Sequence, residues 1–120
     1  MKVDLVVVTH PDPEVAERLV SNLVSKHLIA CGHILPKGAS LFFWDGGLQR
    51  EEEVTLLLKT IPENRSALEQ EILREHPYRV PEILFLGADY VTSGYAAWVR
   101  DACAPAEEPK SGEGGLRGPA

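Results

Sequence analysis

Two prolines four residues apart interrupt the chain at His76-Pro77-Tyr78-Arg79-Val80-Pro81-Glu82-Ile83. Each fixes its own φ, removes a backbone donor and pushes the residue before it, His76 or Val80, toward extended backbone. Neither a helix nor a central strand continues through such a stretch. The segment is therefore a rigid connector, carrying an imidazole, a phenol and a carboxylate at fixed spacing. It joins a helical pattern upstream to an apolar strand pattern downstream, and it shapes either a site or a junction between chains.

The elements on either side follow from periodicity. Val3, Leu5, Val6, Val7 and Val8 are apolar at both parities, so Lys2 to Thr9 reads as a central strand covered on both faces. Asp12-Pro13-Glu14 is a helix start, with a cap acceptor, a first-turn proline and an acid facing the dipole. Val15, Leu19, Val20, Leu23 and Val24 recur at helical spacing up to Lys26 and His27. A second strand begins near Ile29, breaks at Pro36-Lys37-Gly38 and resumes through Ser40 to Trp44. Asp45-Gly46-Gly47 turns the chain into a long third strand, Leu48 to Thr60. Leu68, Ile72 and Leu73 mark a weaker helix ending at Glu75. Ile83 to Leu86 is a fourth strand, and Thr92 or Ser93 caps a last helix with Tyr95, Trp98 and Ala102 on one face.

That order predicts an α+β fold: a ferredoxin-like βαββαβ sandwich with a long hairpin between its second and third strands and an extra C-terminal helix. Residues 1–103 form one domain. Residues 104–120, rich in Pro, Gly, Glu and Ala, read as a disordered tail. With two cysteines, no N-terminal leader pattern and no apolar run of membrane-spanning length, the expected compartment is the cytoplasm, without membrane association. A net charge of −6 speaks against a nucleic-acid partner, which calls for a basic face.

The hairpin constrains assembly. Leu41, Phe42, Phe43 and Trp44 follow one another, so both faces of that arm are apolar, and helices of one chain cannot cover both. A long apolar edge left open aggregates. A second copy of the chain is the expected cover.

Few residues suggest chemistry. Cys31 and His33 share a strand face and offer a thiolate and an imidazole, donors suited to copper(I) or zinc; alternatively Cys31 is a small buried hydrophobe. His76 and Glu82 flank the connector and converge on a site from its two ends, or bond to backbone groups and lock it. Glu53 is a third candidate acid, whereas Glu51 and Glu52 read as solvated. His10 before Pro11 reads as a turn residue, and His27 as a surface histidine at a helix end. Trp44, Trp98, Tyr78 and Tyr95 read as interface or core aromatics. Neither a phosphate-binding glycine loop nor a nucleophile with oxyanion donors is present, so the chain does not read as an enzyme.

Taken in order, Ala30-Cys31, Ile34, Pro36, Ser40, Trp44, Gly46, Glu53, Leu56, Lys59-Thr60, the connector His76 to Ile83 and Tyr95-x-x-Trp98 resemble the CutA family of divalent-cation-tolerance proteins. The resemblance runs from Val3 to Val99. It implies a homotrimer with PII-like architecture and clefts between subunits, and a role in tolerance of copper and other divalent cations through metal binding, with no cofactor required. Cys31, Glu53, His76, Tyr78 and Glu82 fall on the family's polar positions, and Trp44 and Trp98 on its aromatic ones. The expected metal ligands are thus Cys31, His33, Glu53, His76 and Glu82. Phe42, Trp44, Lys59, Tyr78, Tyr95 and Trp98 are the expected cleft and interface residues. The family usually has Val-Asn where this chain has Gly32-His33, and tyrosine where Phe42 stands. Two other readings remain: a PII-like sensor of a small anionic metabolite using Lys59 or Arg79, and a structural trimer that anchors a partner protein.

Overall fold

The computed structural model describes residues 1–104; the expectation for the tail lies outside the described residues, apart from Ala104. The strands are β1 (Asp4–His10), β2 (Cys31–Ile34), β3 (Gly38–Trp44), β4 (Gly47–Thr60) and β5 (Ile83–Gly87). The helices are α1 (Pro13–Ser25), α2 (Arg65–Glu75) and α3 (Ser93–Cys103), with a single 3₁₀ turn at Pro62–Asn64. The sheet is antiparallel in the order β2-β4-β1-β5, and β3 pairs with the part of β4 that runs beyond it. The ferredoxin-like expectation is met. The strand read as one interrupted element is two: β2 pairs with Leu56 to Lys59, and β3 with Gly47 to Glu53.

Local chemistry explains the boundaries. Asp12 caps α1, its Oδ1 accepting from the amides of Glu14 at 2.9 Å and Val15 at 3.2 Å. The hairpin turns on Asp45 (φ 55°) and Gly46 (φ 81°), a two-residue loop with both central residues left-handed, the geometry that matches strand twist. Even-numbered residues of β1 and β4 bury one sheet face. Val6, Val8, Leu56 and Leu58 pack there against Ala16, Leu19 and Leu23 of α1 and against Leu68 and Ile72 of α2.

α3 stands apart from α1 and α2. It builds a separate cluster with Val3, Ala30, Ile61 and Val91 rather than joining the main core. Its buried stripe is Ala96, Val99 and Cys103, with Tyr95, Trp98 and Ala102 only partly buried beside it. The expected face of Tyr95, Trp98 and Ala102 thus lies against this cluster, with the deepest burial at the next residue of each pair.

β1 is central but not covered twice. Its odd residues Leu5, Val7 and Thr9 are only half-buried. The registers set two rows across this second face, polar at the β2 side and apolar over β1 and β5: Cys31, Lys59, Leu5, Leu86 and His33, Leu57, Val7, Leu84. Leu84 and Leu86 are about half exposed, at 51% and 48%. The hairpin arm is also bare, with Leu41, Phe43, Trp44 and Leu48 exposed.

Gly32 faces the other way, toward α1. A Cβ there would lie 2.8 Å from Leu58 Cδ2 and 2.9 Å from Val20 Cγ1, closer than van der Waals contact allows. Overpacking a filled core costs about 1–3 kcal/mol. Gly32→Ala should accordingly lower the urea midpoint with an unchanged slope, measured by circular dichroism. An unmoved midpoint would mean that α1 yields at this contact.

Candidate functional site: a locked connector and an edge-strand donor pair

The connector is fastened at the end of β1. His76, buried, donates from Nε2 to the carbonyl oxygen of Thr9 at 2.7 Å, and its Nδ1 accepts from the Tyr78 amide at 3.0 Å. Both ring nitrogens are thus engaged by backbone, and neither keeps a lone pair for a metal. The backbone-locking alternative holds for His76, and its expected ligand role does not fit this arrangement. Glu82 is exposed at the far end of the connector. Among the described residues of the single chain no group of three or more His, Cys, Asp or Glu side chains is gathered for a metal ion.

Glu53 is tied into the same fastening. It is buried, and its Oε2 accepts from the Tyr78 hydroxyl at 2.7 Å while Oε1 accepts from Ser40 Oγ at 2.6 Å. One carboxylate therefore joins β4, β3 and the connector. Burial, and then the neighbouring Glu53, push the Tyr78 hydroxyl well above its usual pKa. The sequence singles out Glu53 and Tyr78 separately and not as partners, because 25 positions separate them.

His10 is the residue sequence reasoning missed. It ends β1 fully buried rather than standing in a turn, with its ring 4.8 Å from that of His76, which in turn lies 4.9 Å from Tyr78. The parity of Asp4, Val6, Val8 and His10 carried the signal, and Pro11 obscured it.

Cys31 and His33 stand on edge strand β2, both facing away from α1 as their spacing requires. Cys31 is half-buried, with Sγ 3.6 Å from the Tyr95 hydroxyl. Burial, and secondarily Cys31, raise the pKa of Tyr95, whose ring stacks on Trp98 at 5.8 Å. His33 is exposed, and Lys59 Nζ donates to its Nδ1 at 2.9 Å. Lys59 forms no ion pair with a carboxylate among the described residues. Phe42 and Trp44 lie away from this pair on the exposed hairpin.

The family model for the CutA1 divalent ion tolerance protein matches residues 4–102. The chain belongs to this family. A divalent-cation tolerance protein CutA of Citrobacter koseri is 35% identical over 95 residues, covering 79% of this chain and 83% of that protein. One of Escherichia coli K12 is 34% identical over the same length. Among solved structures, CutA1 of Thermus thermophilus superposes with a TM-score of 0.81 at 33% identity, covering 85% of this chain and 98% of its own. CutA1 of Oryza sativa gives 0.82 at 30%, covering 85% and 94%. CutA membership accounts for the hairpin, the connector and the three helices together. Among the described residues no helix is long and apolar enough to cross a membrane, and one relative, from Archaeoglobus fulgidus, is described as periplasmic.

Proposed function

We propose that this CutA-family chain acts as a homotrimer that binds divalent or soft metal ions, copper among them, at clefts between its subunits, and that it works by binding rather than by turnover. The carrying observation is the uncovered apolar face of the sheet, with Cys31 and His33 on its β2 edge. Copies that pack through the rows of Leu5, Val7, Leu57, Leu84 and Leu86 bring β2 to a subunit boundary. One chain supplies two soft donors there, so the remaining ligands come from a neighbouring copy or from solvent. Glu53 and His76 serve the fold and not the metal. The cytoplasm remains the expected compartment.

Thiol and imidazole bind metal only after losing or freeing a proton site, and Lys59 occupies His33 Nδ1. A metal on that nitrogen displaces a cation. Copper and zinc titrations, followed calorimetrically, should show at least about tenfold weaker binding for Cys31→Ala and His33→Ala, and tighter binding for Lys59→Met. Equal affinity in all three variants and the parent would remove the assignment.

The same lysine favours one alternative. Lys59 and the exposed Arg79 suit a small anionic metabolite, as in a PII-like sensor. A nucleotide or carboxylate that raises the melting temperature of the parent but not of Lys59→Met would favour that reading over metal.

A further inference from the structure

α2, the connector and β5 line an open cavity of about 300 Å³. Its floor is apolar, with Leu73 from α2, Val80 from the connector, and Ile83 and Phe85 from β5. Leu73 and Val80 keep 45% and 66% of their surface exposed, an apolar area that a bound apolar body would take out of water. Two opposite charges complete the lining: Glu69 on α2, one turn before Leu73, and Arg79 on the connector. Among the described residues neither forms an ion pair, with the other or with any third group. The cavity therefore offers a free anion and a free cation over a greasy floor.

A sheet edge adds backbone groups. Among the described residues β5 pairs with β1 alone, so its other edge is unpaired. The Ala88 amide donates to the Val3 carbonyl at 3.0 Å, one step beyond the Asp4–Gly87 pair. Hydrogen-bonded and non-bonded pairs alternate along an antiparallel ladder. Leu84 and Leu86 therefore bond to β1, whereas Ile83 and Phe85 turn their N–H and C=O groups outward. These are the two β5 residues that line the cavity.

We propose that this cavity binds a small zwitterion with an apolar body, in chemical terms an apolar α-amino acid. Arg79 takes the carboxylate, Glu69 takes the ammonium, and the ligand's side chain lies on Leu73, Val80, Ile83 and Phe85. Charge complementarity selects this class. A carboxylate without an ammonium brings a like charge to Glu69, and an amine without a carboxylate does the same to Arg79. Ligand cavities span roughly 300–1,000 Å³, so this one is at the small end and suits an amino acid better than a nucleotide. The site is separate from the proposed metal donors. Ile83 and Phe85 stand opposite Val8 and Val6 on the helix-covered face, whereas Cys31, His33 and Lys59 project from the other face.

The test is amide chemical-shift mapping by NMR on the metal-free full chain. Leucine, methionine and phenylalanine are each raised to about 10 mM, tenfold past a Kd of about 1 mM. At least one should give saturable shifts that gather at Glu69, Leu73, Arg79, Val80, Ile83 and Phe85. Isocaproate and isoamylamine, which are leucine without its ammonium and without its carboxylate, should bind at least about fivefold more weakly than leucine. Arg79→Gln should weaken amino-acid binding at least about fivefold without weakening isoamylamine, and Glu69→Gln should do the same without weakening isocaproate. Both side chains are exposed, so neither substitution disturbs the core. No saturable shift with any of the three amino acids, shifts centred elsewhere, a truncated compound that binds as well as leucine, or unaltered affinity in either variant would each overturn the proposal.

Discussion

In the proposed homotrimer, Leu57→Asp is expected to convert the assembly into monomers that keep their fold. Leu57 sits in the middle of the uncovered sheet face, flanked by His33 on β2 and Val7 on β1, on a strand whose other parity supplies the core. Its side chain does not contribute to the Val6–Leu58 side, so folding loses little. At an interface between copies the same position buries a carboxylate without a partner. An uncompensated buried charge costs about 3–5 kcal/mol, and each 1.4 kcal/mol is tenfold in association. That is a loss of about a hundredfold to a few thousandfold at each contact, repeated around the proposed trimer. Light scattering should give one third of the parent mass at micromolar concentration, with an unchanged far-ultraviolet spectrum. A trimer that survives the substitution would show that copies do not meet through this face, and the cleft position of Cys31 and His33 would go with it.

The sequence announced the fold more fully than the site, for a physical reason. Strand parity, the Asp12 cap, the Asp45-Gly46 turn and the proline connector act within a few residues, so they are legible along the chain. The bare hairpin face was legible too, since four successive apolar residues leave no parity for solvent. What was hidden were partnerships across the sheet. Glu53 meets Ser40 through the hairpin and Tyr78 through the fold; Cys31 meets Tyr95 across 64 positions. His76 looked like a ligand because imidazole is a versatile group, but the distant Thr9 carbonyl and the near Tyr78 amide claim it. His10 was misread because the proline after it suggested a turn, although its parity belonged to the core. The half-covered state of β1 was missed for a different reason. A strand apolar on both faces does not say whether its second cover comes from the same chain.

Glu53→Ala should be the most damaging single change at the connector. The buried carboxylate accepts two short hydroxyl hydrogen bonds, at 2.6 and 2.7 Å, and those donors come from separate elements. Hydrogen bonds to charged groups contribute about 1.5–3 kcal/mol each, and the two share one acceptor group, so a combined loss of about 3 kcal/mol is expected. Alanine also leaves the Tyr78 and Ser40 hydroxyls unpaired. Glu53→Gln retains an acceptor oxygen and should lose less. Urea unfolding of Glu53→Ala, Tyr78→Phe and the double variant isolates the pair, with a coupling of about 0.5–3 kcal/mol expected. Alkaline pH gives an independent check. Because the Tyr78 pKa is raised in the fold, its contribution is fully present below the ordinary value of 10 and is lost as pH rises past it, when the unfolded chain gives up a proton that the fold retains. Tyr95 behaves likewise, so Tyr78→Phe should remove part of the alkaline loss and leave the rest. Additive single variants would mean that Glu53 and Tyr78 stabilise the chain separately, and that the connector is not held to the hairpin through this bond.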